Sequence, residues 1–450
     1  MKTERQSQVG AHVPTGAHKS HAQEANVQEA HAQESDMREP HAHESHAHAR
    51  GVLRRAWDKL RVENATDEVR LLRVVLALAL VGGFALSRKL WVSSGRSFPV
   101  APVFDFLPGV PSPFDYVWLG ALVVLLLLVA ASARPRGYAF AFLALAVGLA
   151  LLDETRWQPW FYQYLFMLFA LAVCSKGVEG EEKVLRACAL IVASLYFWGG
   201  VQKLNPQFFS EVVPSLDGEL LPRLPASFAR LTTPLGALIP LTEICAGLLL
   251  LTRRWRRVGM LLALVIHVSV LMLFFPSRRN KVVWPWNAAM IVFVLILFRR
   301  GSVAGLKDFL PRRALSLQAL VAVVFGLMPL LSFFGLWGRY LSGALYSGNT
   351  GRAEVRLSYA VAQHLPPKVQ QKLTPTVDGV SLDINHWSYV ELKVPAYPSE
   401  RVYRRAAAQL CEFAERPTDV WLLMREGPRL FGGEPAVTSL DCDVLTRPTR

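Results

Sequence analysis

A chain of 450 residues that is 52% hydrophobic and carries a formal net charge of +14 invites two broad readings, a basic soluble protein or a membrane protein. Its apolar residues fall in charge-free runs of about twenty instead of short periodic stripes, which excludes a soluble globular fold. The basic residues gather beside the ends of those runs, where they set orientation, so the bilayer and not nucleic acid is the expected partner.

Residues 1–52 form the first region. The stretch "EAHAQESDMREPHAHESHAHARG" is of low complexity, and the first fifty residues hold eight of the eleven histidines. Such a composition cannot bury a core, and the tail is expected to be disordered. His41, His43, His46 and His48 are suited to loose transition-metal binding as neutral imidazoles, the alternative to a merely solvated tail. No apolar core follows the first basic residues, so the first membrane helix is expected to act as an uncleaved signal. The five cysteines form no CxxC and no Cys/His metal spacing, and no metal site is expected from them.

From residue 70 to 337 the hydropathy predicts nine membrane-spanning helices, at 70–87, 114–133, 137–153, 159–176, 184–203, 234–252, 257–276, 281–298 and 315–337. Basic clusters precede the first, follow the sixth (Arg253, Arg254, Arg256, Arg257) and follow the eighth (Arg299, Arg300, Lys307, Arg312, Arg313). All lie on one side if the N-terminus is cytoplasmic, with "SRRNK" at 277–281 the local exception. The expectation is a bacterial inner-membrane protein with its C-terminal region outside.

The fifth span ends in "YFWGGVQKLNPQFF". Tyr196, Gly199 or Gly200, and Lys203 recur at three- to four-residue intervals and share one helix face. Lys203 is either a lysine snorkelling to the headgroups or a functional cation at the edge of the apolar layer. Glu243 in the sixth span and His267 in the seventh each lie about ten residues from the basic turn that joins them, at matching depth. They could hydrogen-bond to each other, and they serve either as a plain helix contact or as part of a proton path or cofactor cavity. Near the outer ends, "DETRWQPWFYQY" supplies Trp157 and "VVWPWNAAM" supplies Trp284, Trp286 and Asn287. These form an aromatic belt or, with Lys203 and Tyr196, a site for a flat aromatic headgroup such as a quinone.

Residues 338–450 read as a small α+β domain outside the bilayer. "RAEVRLSYAV", "GVSLDINHWSYVELKV" and "DVWLLMREG" alternate like strands, and "SERVYRRAAAQLCEFAE" has a helical period with Ser399 as its N-cap. In an oxidising compartment Cys411 and Cys442 are candidates to pair. The fold class is therefore an all-α polytopic membrane bundle of about nine helices, with a small C-terminal α+β domain and a disordered N-terminal tail.

"YFWGGVQKLNPQFF", the Pro-rich first outer loop, the glutamate-bearing sixth span and the in-span histidine together resemble the vitamin K-dependent γ-glutamyl carboxylases and the bacterial horizontally transferred transmembrane (HTTM) domain proteins, over roughly residues 70–300. The resemblance implies Lys203 as the base that deprotonates a reduced vitamin K-like quinone; the positions of the other polar and aromatic residues add His267 and Glu243 for proton handling and Tyr196, Trp157, Trp284, Trp286 and Asn287 for cofactor placement. A lysine does this only where an apolar site lowers its pKa. The competing reading is a non-catalytic membrane protein whose exported domain recruits an envelope partner.

Overall fold

The computed structural model describes residues 64–174, 177–215, 232–277, 280–299, 316–428 and 435–447, with the single positions 305, 307 and 313. The histidine-rich tail predicted at 1–52 lies outside the described residues.

Every predicted apolar run contains helix. In chain order these are α1 (Ala65–Leu86), α2 (Phe114–Ala131), α3 (Pro135–Leu151), α4 (Pro159–Val173), α5 (Val178–Gln202), α6 (Thr232–Leu250), α7 (Arg256–Ser277), α8 (Val283–Phe298) and α9 (Leu317–Phe334). Local chemistry sets their starts. The Asn64 side chain caps α1 by accepting the Asp67 N–H at 3.0 Å, and α3 and α4 open on prolines, whose missing N–H is no loss in a first turn.

Among the described residues, four helices are long and apolar enough to cross a membrane: α1, α2, α5 and α9. The other five of the nine expected crossings are not confirmed by length and composition. Helices α3, α4 and α8 have 17, 15 and 16 residues. At a rise of about 1.5 Å per residue they fall short of a hydrocarbon layer of about 30 Å. Both α3 and α4 end earlier than the runs read from sequence, at 151 and 173 against 153 and 176, because those runs include flanking turn residues.

Helix α5 is the axis of the bundle: 78% of its apolar window is buried, against 22% for α2, whose sides are left for lipid. It packs most closely on α6, and two glycines permit this. A Cβ at Gly200 would lie 2.5 Å from the Pro240 carbonyl oxygen, and one at Gly247 would lie 2.6 Å from the Phe197 nitrogen. Small residues at such crossings let backbones touch, which supplies the van der Waals contact that association in lipid depends on.

After α9 the chain turns across the end of α5. Gln202 donates to the Ser332 hydroxyl at 2.9 Å, and Asn205 donates to the Ser347 carbonyl at 2.8 Å. It then enters an antiparallel sheet of β1 (Arg352–Leu357), β2 (Thr374–Thr376), β3 (Gly379–Asp383), β4 (Val420–Arg425) and β5 (Val437–Asp441), in the order β2-β3-β1-β4-β5. The register pairs Val355 with both Leu382 and Leu422, which builds an apolar inner face. Arg356 stands opposite Trp421 on the other face.

The strand expected over "GVSLDINHWSYVELKV" stops halfway: Ile384–Leu392 is a helix, α10. Asp383 caps it by accepting the His386 N–H at 2.7 Å, and Ile384, Trp387, Ser388, Glu391 and Leu392 are buried at helical spacing. Helix α11 (Glu400–Leu410) begins at Ser399 as expected, with the Ser399 hydroxyl accepting the Val402 N–H at 3.3 Å.

Cys411 and Cys442 form a disulfide with Cα atoms 5.7 Å apart. It closes a loop across 31 positions, and its loss is expected to lower the stability of this domain by about 3 kcal/mol. Faster proteolysis of the Cys411→Ser/Cys442→Ser protein would show it.

Candidate functional site

The site is assembled where α5, α6, α7 and α8 meet. Lys203 is the C-cap of α5, yet its side chain turns back along its own helix instead of outward to the headgroups. Its Nζ donates to the Gly199 carbonyl at 3.1 Å and to Glu243 Oε2 at 2.6 Å. The two side chains are 11% and 14% exposed, so the pair is held largely out of water. The backward turn resolves the apparent mismatch in depth between a lysine at a helix end and a glutamate well inside α6.

His267 does not pair with Glu243, although their matching depth allowed it. Its Nδ1 faces Asn287 Oδ1 at 2.6 Å, and its Nε2 makes a close hydrogen bond with the Tyr196 hydroxyl. The proton positions follow from the partners. Asn287 spends its Nδ2 on the Val283 carbonyl at 2.8 Å, which leaves Oδ1 as the group facing the ring. His267 therefore carries its proton on Nδ1, and Tyr196 donates to Nε2. Glu243 Oε2 would stand 3.2 Å from a Cβ at Gly199, which lies between Tyr196 and Lys203 on α5, so the triad and the ion pair flank one helix face.

Five of the eight residues expected at the site are thus brought together: Tyr196, Lys203, Glu243, His267 and Asn287. The tryptophans are placed differently. Trp286 donates from Nε1 to Gln163 at 2.8 Å, and Gln163 in turn donates towards the Met290 sulfur at 3.1 Å. Trp284 is half-buried in the first turn of α8. Trp157 packs edge-on to Phe161 with ring centroids 6.2 Å apart, in the loop that receives the C-terminal domain. Gln163 was missed by the sequence reading, although a glutamine in "FYQYLF" inside an apolar run is a visible signal.

Tyr196→Phe is expected to cost about 1 kcal/mol. Asn287→Leu is expected to cost more, about 1–3 kcal/mol, because it strands a buried imidazole N–H. Thermal unfolding in mild detergent orders the two.

A second polar assembly joins the C-terminal domain to the helices. The Glu391 carboxylate accepts the Ser97 N–H at 2.7 Å, the Phe98 N–H at 2.9 Å and the Trp387 indole N–H at 3.2 Å, and is met by the Ser97 hydroxyl. Lys89 stands 3.5 Å away. Around this clasp Gln158 donates to the Pro395 carbonyl at 3.0 Å, and Arg401 and Arg405 both reach Asp105, at 3.1 and 3.0 Å. These contacts link residues some 240 to 300 positions apart, and no local pattern announces them.

The helices and the buried polar network define a multi-pass integral membrane protein. Over residues 181–274 it is similar to a family described as methylamine utilisation protein MauE. That segment holds most of α5, all of α6 and most of α7, with Tyr196, Lys203, Glu243 and His267. No curated protein and no solved structure matches the chain. The resemblance to γ-glutamyl carboxylases and HTTM proteins is thereby corrected, since the family match in this region is to MauE and none is found to the HTTM domain. The motif that suggested it, small residues followed by a lysine, serves a close helix crossing and an ion pair. Any bundle with those needs can present it.

Proposed function

We propose that this chain is a membrane anchor that holds its C-terminal α+β domain rigidly on one side of the bilayer to receive a partner in the cell envelope. In this reading all nine apolar helices cross the membrane, the short ones tilting little or thinning the layer. The basic turn Arg253–Arg257 is cytoplasmic and the C-terminal domain is outside.

One observation carries the proposal: the domain is clasped through Glu391 instead of tethered, while the sheet face bearing Arg356 and Trp421 is left open. Beside those two residues a cleft of about 450 Å³ runs to the β2–β3 turn, where Val377 is 96% exposed. An exposed aliphatic residue at a hairpin tip next to a half-buried tryptophan suits protein recognition. The ion pair and the triad then serve to fix helix packing under the domain.

A photo-crosslinking residue placed at Val377, and separately at Tyr359 on the domain surface, tests this in cells. A discrete adduct from Val377 and none from Tyr359 is expected. The same smear or the same silence from both positions would end the proposal.

One observation favours a second reading, in which a lipid quinol reacts at the site: a phenol, an imidazole and a carboxylate adjoin within the bundle. Lys203 already donates to two acceptors, so the proton acceptor in that reading is His267 or Glu243. Mass spectrometry of organic extracts from wild type and His267→Ala tests it. An isoprenoid quinone at one per protein that is lost in the variant would favour chemistry over anchoring.

A further inference from the structure

On the side of the bundle away from the C-terminal domain, the last turns of α4 and the first turns of α9 enclose a recess of about 500 Å³. Phe169 and Val173 form one wall, and Leu317, Leu320 and Val323 form the other. Ser316 stands at its mouth, its hydroxyl accepting the Ala319 N–H at 3.1 Å. Val173, Leu320 and Val323 are between 41% and 46% exposed, so the walls face outward to the surroundings and not into the protein. The lipid-facing setting rests on the reading above in which α4 and α9 both cross the membrane, where a recess with such walls meets hydrocarbon.

The mouth selects which hydrocarbon-bearing molecule enters. Arg136, in the first turn of α3, donates to the carbonyl of Cys174, the residue that follows Val173. Arg313 lies one turn before Ser316, whose hydroxyl donates to the Arg313 carbonyl at 2.8 Å. The described residues that meet here, 133–136, 171–174, 313 and 316–320, include three arginines and no aspartate or glutamate. An apolar slot below and arginines above match an acyl chain that carries a negative headgroup.

We infer that this recess binds an anionic glycerophospholipid, with one acyl chain between α4 and α9 and the phosphate group at Arg136 and Arg313. The site is independent of the proposed partner on the opposite side.

The test uses the full chain in mixed micelles with equal amounts of palmitoyl-oleoyl phosphatidylglycerol and phosphatidylcholine. The protein is then stripped by gel filtration, and mass spectrometry counts the retained lipid. Wild type is expected to keep about one phosphatidylglycerol. Arg136→Gln/Arg313→Gln should lose that preference roughly thirtyfold, as two surface cations imply. Arg253→Gln/Arg254→Gln, which removes equal charge from the same side, should keep it. Leu320→Trp, which fills the slot from an exposed position, should retain neither lipid at an unchanged melting temperature. Retention of both lipids at the bath ratio by wild type would overturn the inference. So would equal losses in the two double-arginine variants, or wild-type retention by Leu320→Trp.

Discussion

Lys203→Ala is expected to destabilise the folded protein by roughly 3–5 kcal/mol, the cost of leaving a buried charge without its partner. The ammonium lies 2.6 Å from Glu243 and 3.1 Å from the Gly199 carbonyl, and both side chains are nearly out of water. The carboxylate left behind has no room to move toward a substitute, because the α5–α6 crossing is closed: a Cβ at Gly199 would already sit 3.2 Å from Glu243 Oε2. The double variant Lys203→Met/Glu243→Leu removes both charges and should recover most of the loss, as matched apolar replacement of a buried pair usually does. Thermal and denaturant unfolding in mild detergent measure this. A single variant within 1 kcal/mol of wild type would mean that the lysine reaches the headgroups after all, and a double variant no better than the single would mean that the two side chains act separately.

The parts of this arrangement that could be read from sequence are those governed by spacing along one element. Tyr196, Gly199, Gly200 and Lys203 share a helix face because a helix repeats every 3.6 residues, and that needs no knowledge of neighbours. Equal depth for Glu243 and His267 followed from counting away from a turn, but equal depth does not choose partners. Helix α7 meets α5 and α8 as well as α6, so the imidazole found a phenol and an amide while the carboxylate went to the lysine. The reach of the lysine was also invisible, since its flexible stem can place the ammonium a full turn back from its own Cα. In the C-terminal domain, alternation in "GVSLDINHWSYVELKV" suggested one strand, and the Asp383 cap together with the burial of Trp387 and Glu391 made the second half a helix. Recognition failed for a related reason: a short motif that solves a packing problem is shared by unrelated bundles, and only the longer match across 181–274 discriminates.

The turn that follows α9 brings the two polar assemblies into one structure. Gly343, at φ +77, allows the chain to lie against Gly199, where a Cβ would stand 3.4 Å from the Gly199 nitrogen. This turn covers the ion pair from the side of the C-terminal domain. Asn349 donates to the Gln202 carbonyl oxygen of the side-chain amide, and Arg339 holds Asn349 through its backbone carbonyl at 2.7 Å. A domain that swings away would carry this cover with it.

Release of the domain is therefore the second large effect, and Glu391 controls it. Glu391→Ala removes a carboxylate that is 3% exposed and satisfies several donors at once, at a cost of about 2–4 kcal/mol in docking. Acid should act in the same direction. Burial works to raise the pKa of this carboxyl, but the Ser97 hydroxyl and N–H, the nearby Lys89 charge and the Phe98 N–H outweigh it and hold the group below its ordinary value of 4.5. A carboxyl whose folded pKa is depressed contributes fully above the unfolded value, and that contribution is lost as pH falls through the lower folded value. Hydrogen exchange over residues 335–351 is thus expected to stay slow from pH 7 to about 4.5 in the wild type, after correction for intrinsic rates, and to rise below it. In Glu391→Gln the same segment should exchange faster already at pH 7 and show no further step. Identical profiles for the two proteins would remove Glu391 from the clasp and leave the Asp105 pairs with Arg401 and Arg405 as the contacts that hold the domain down.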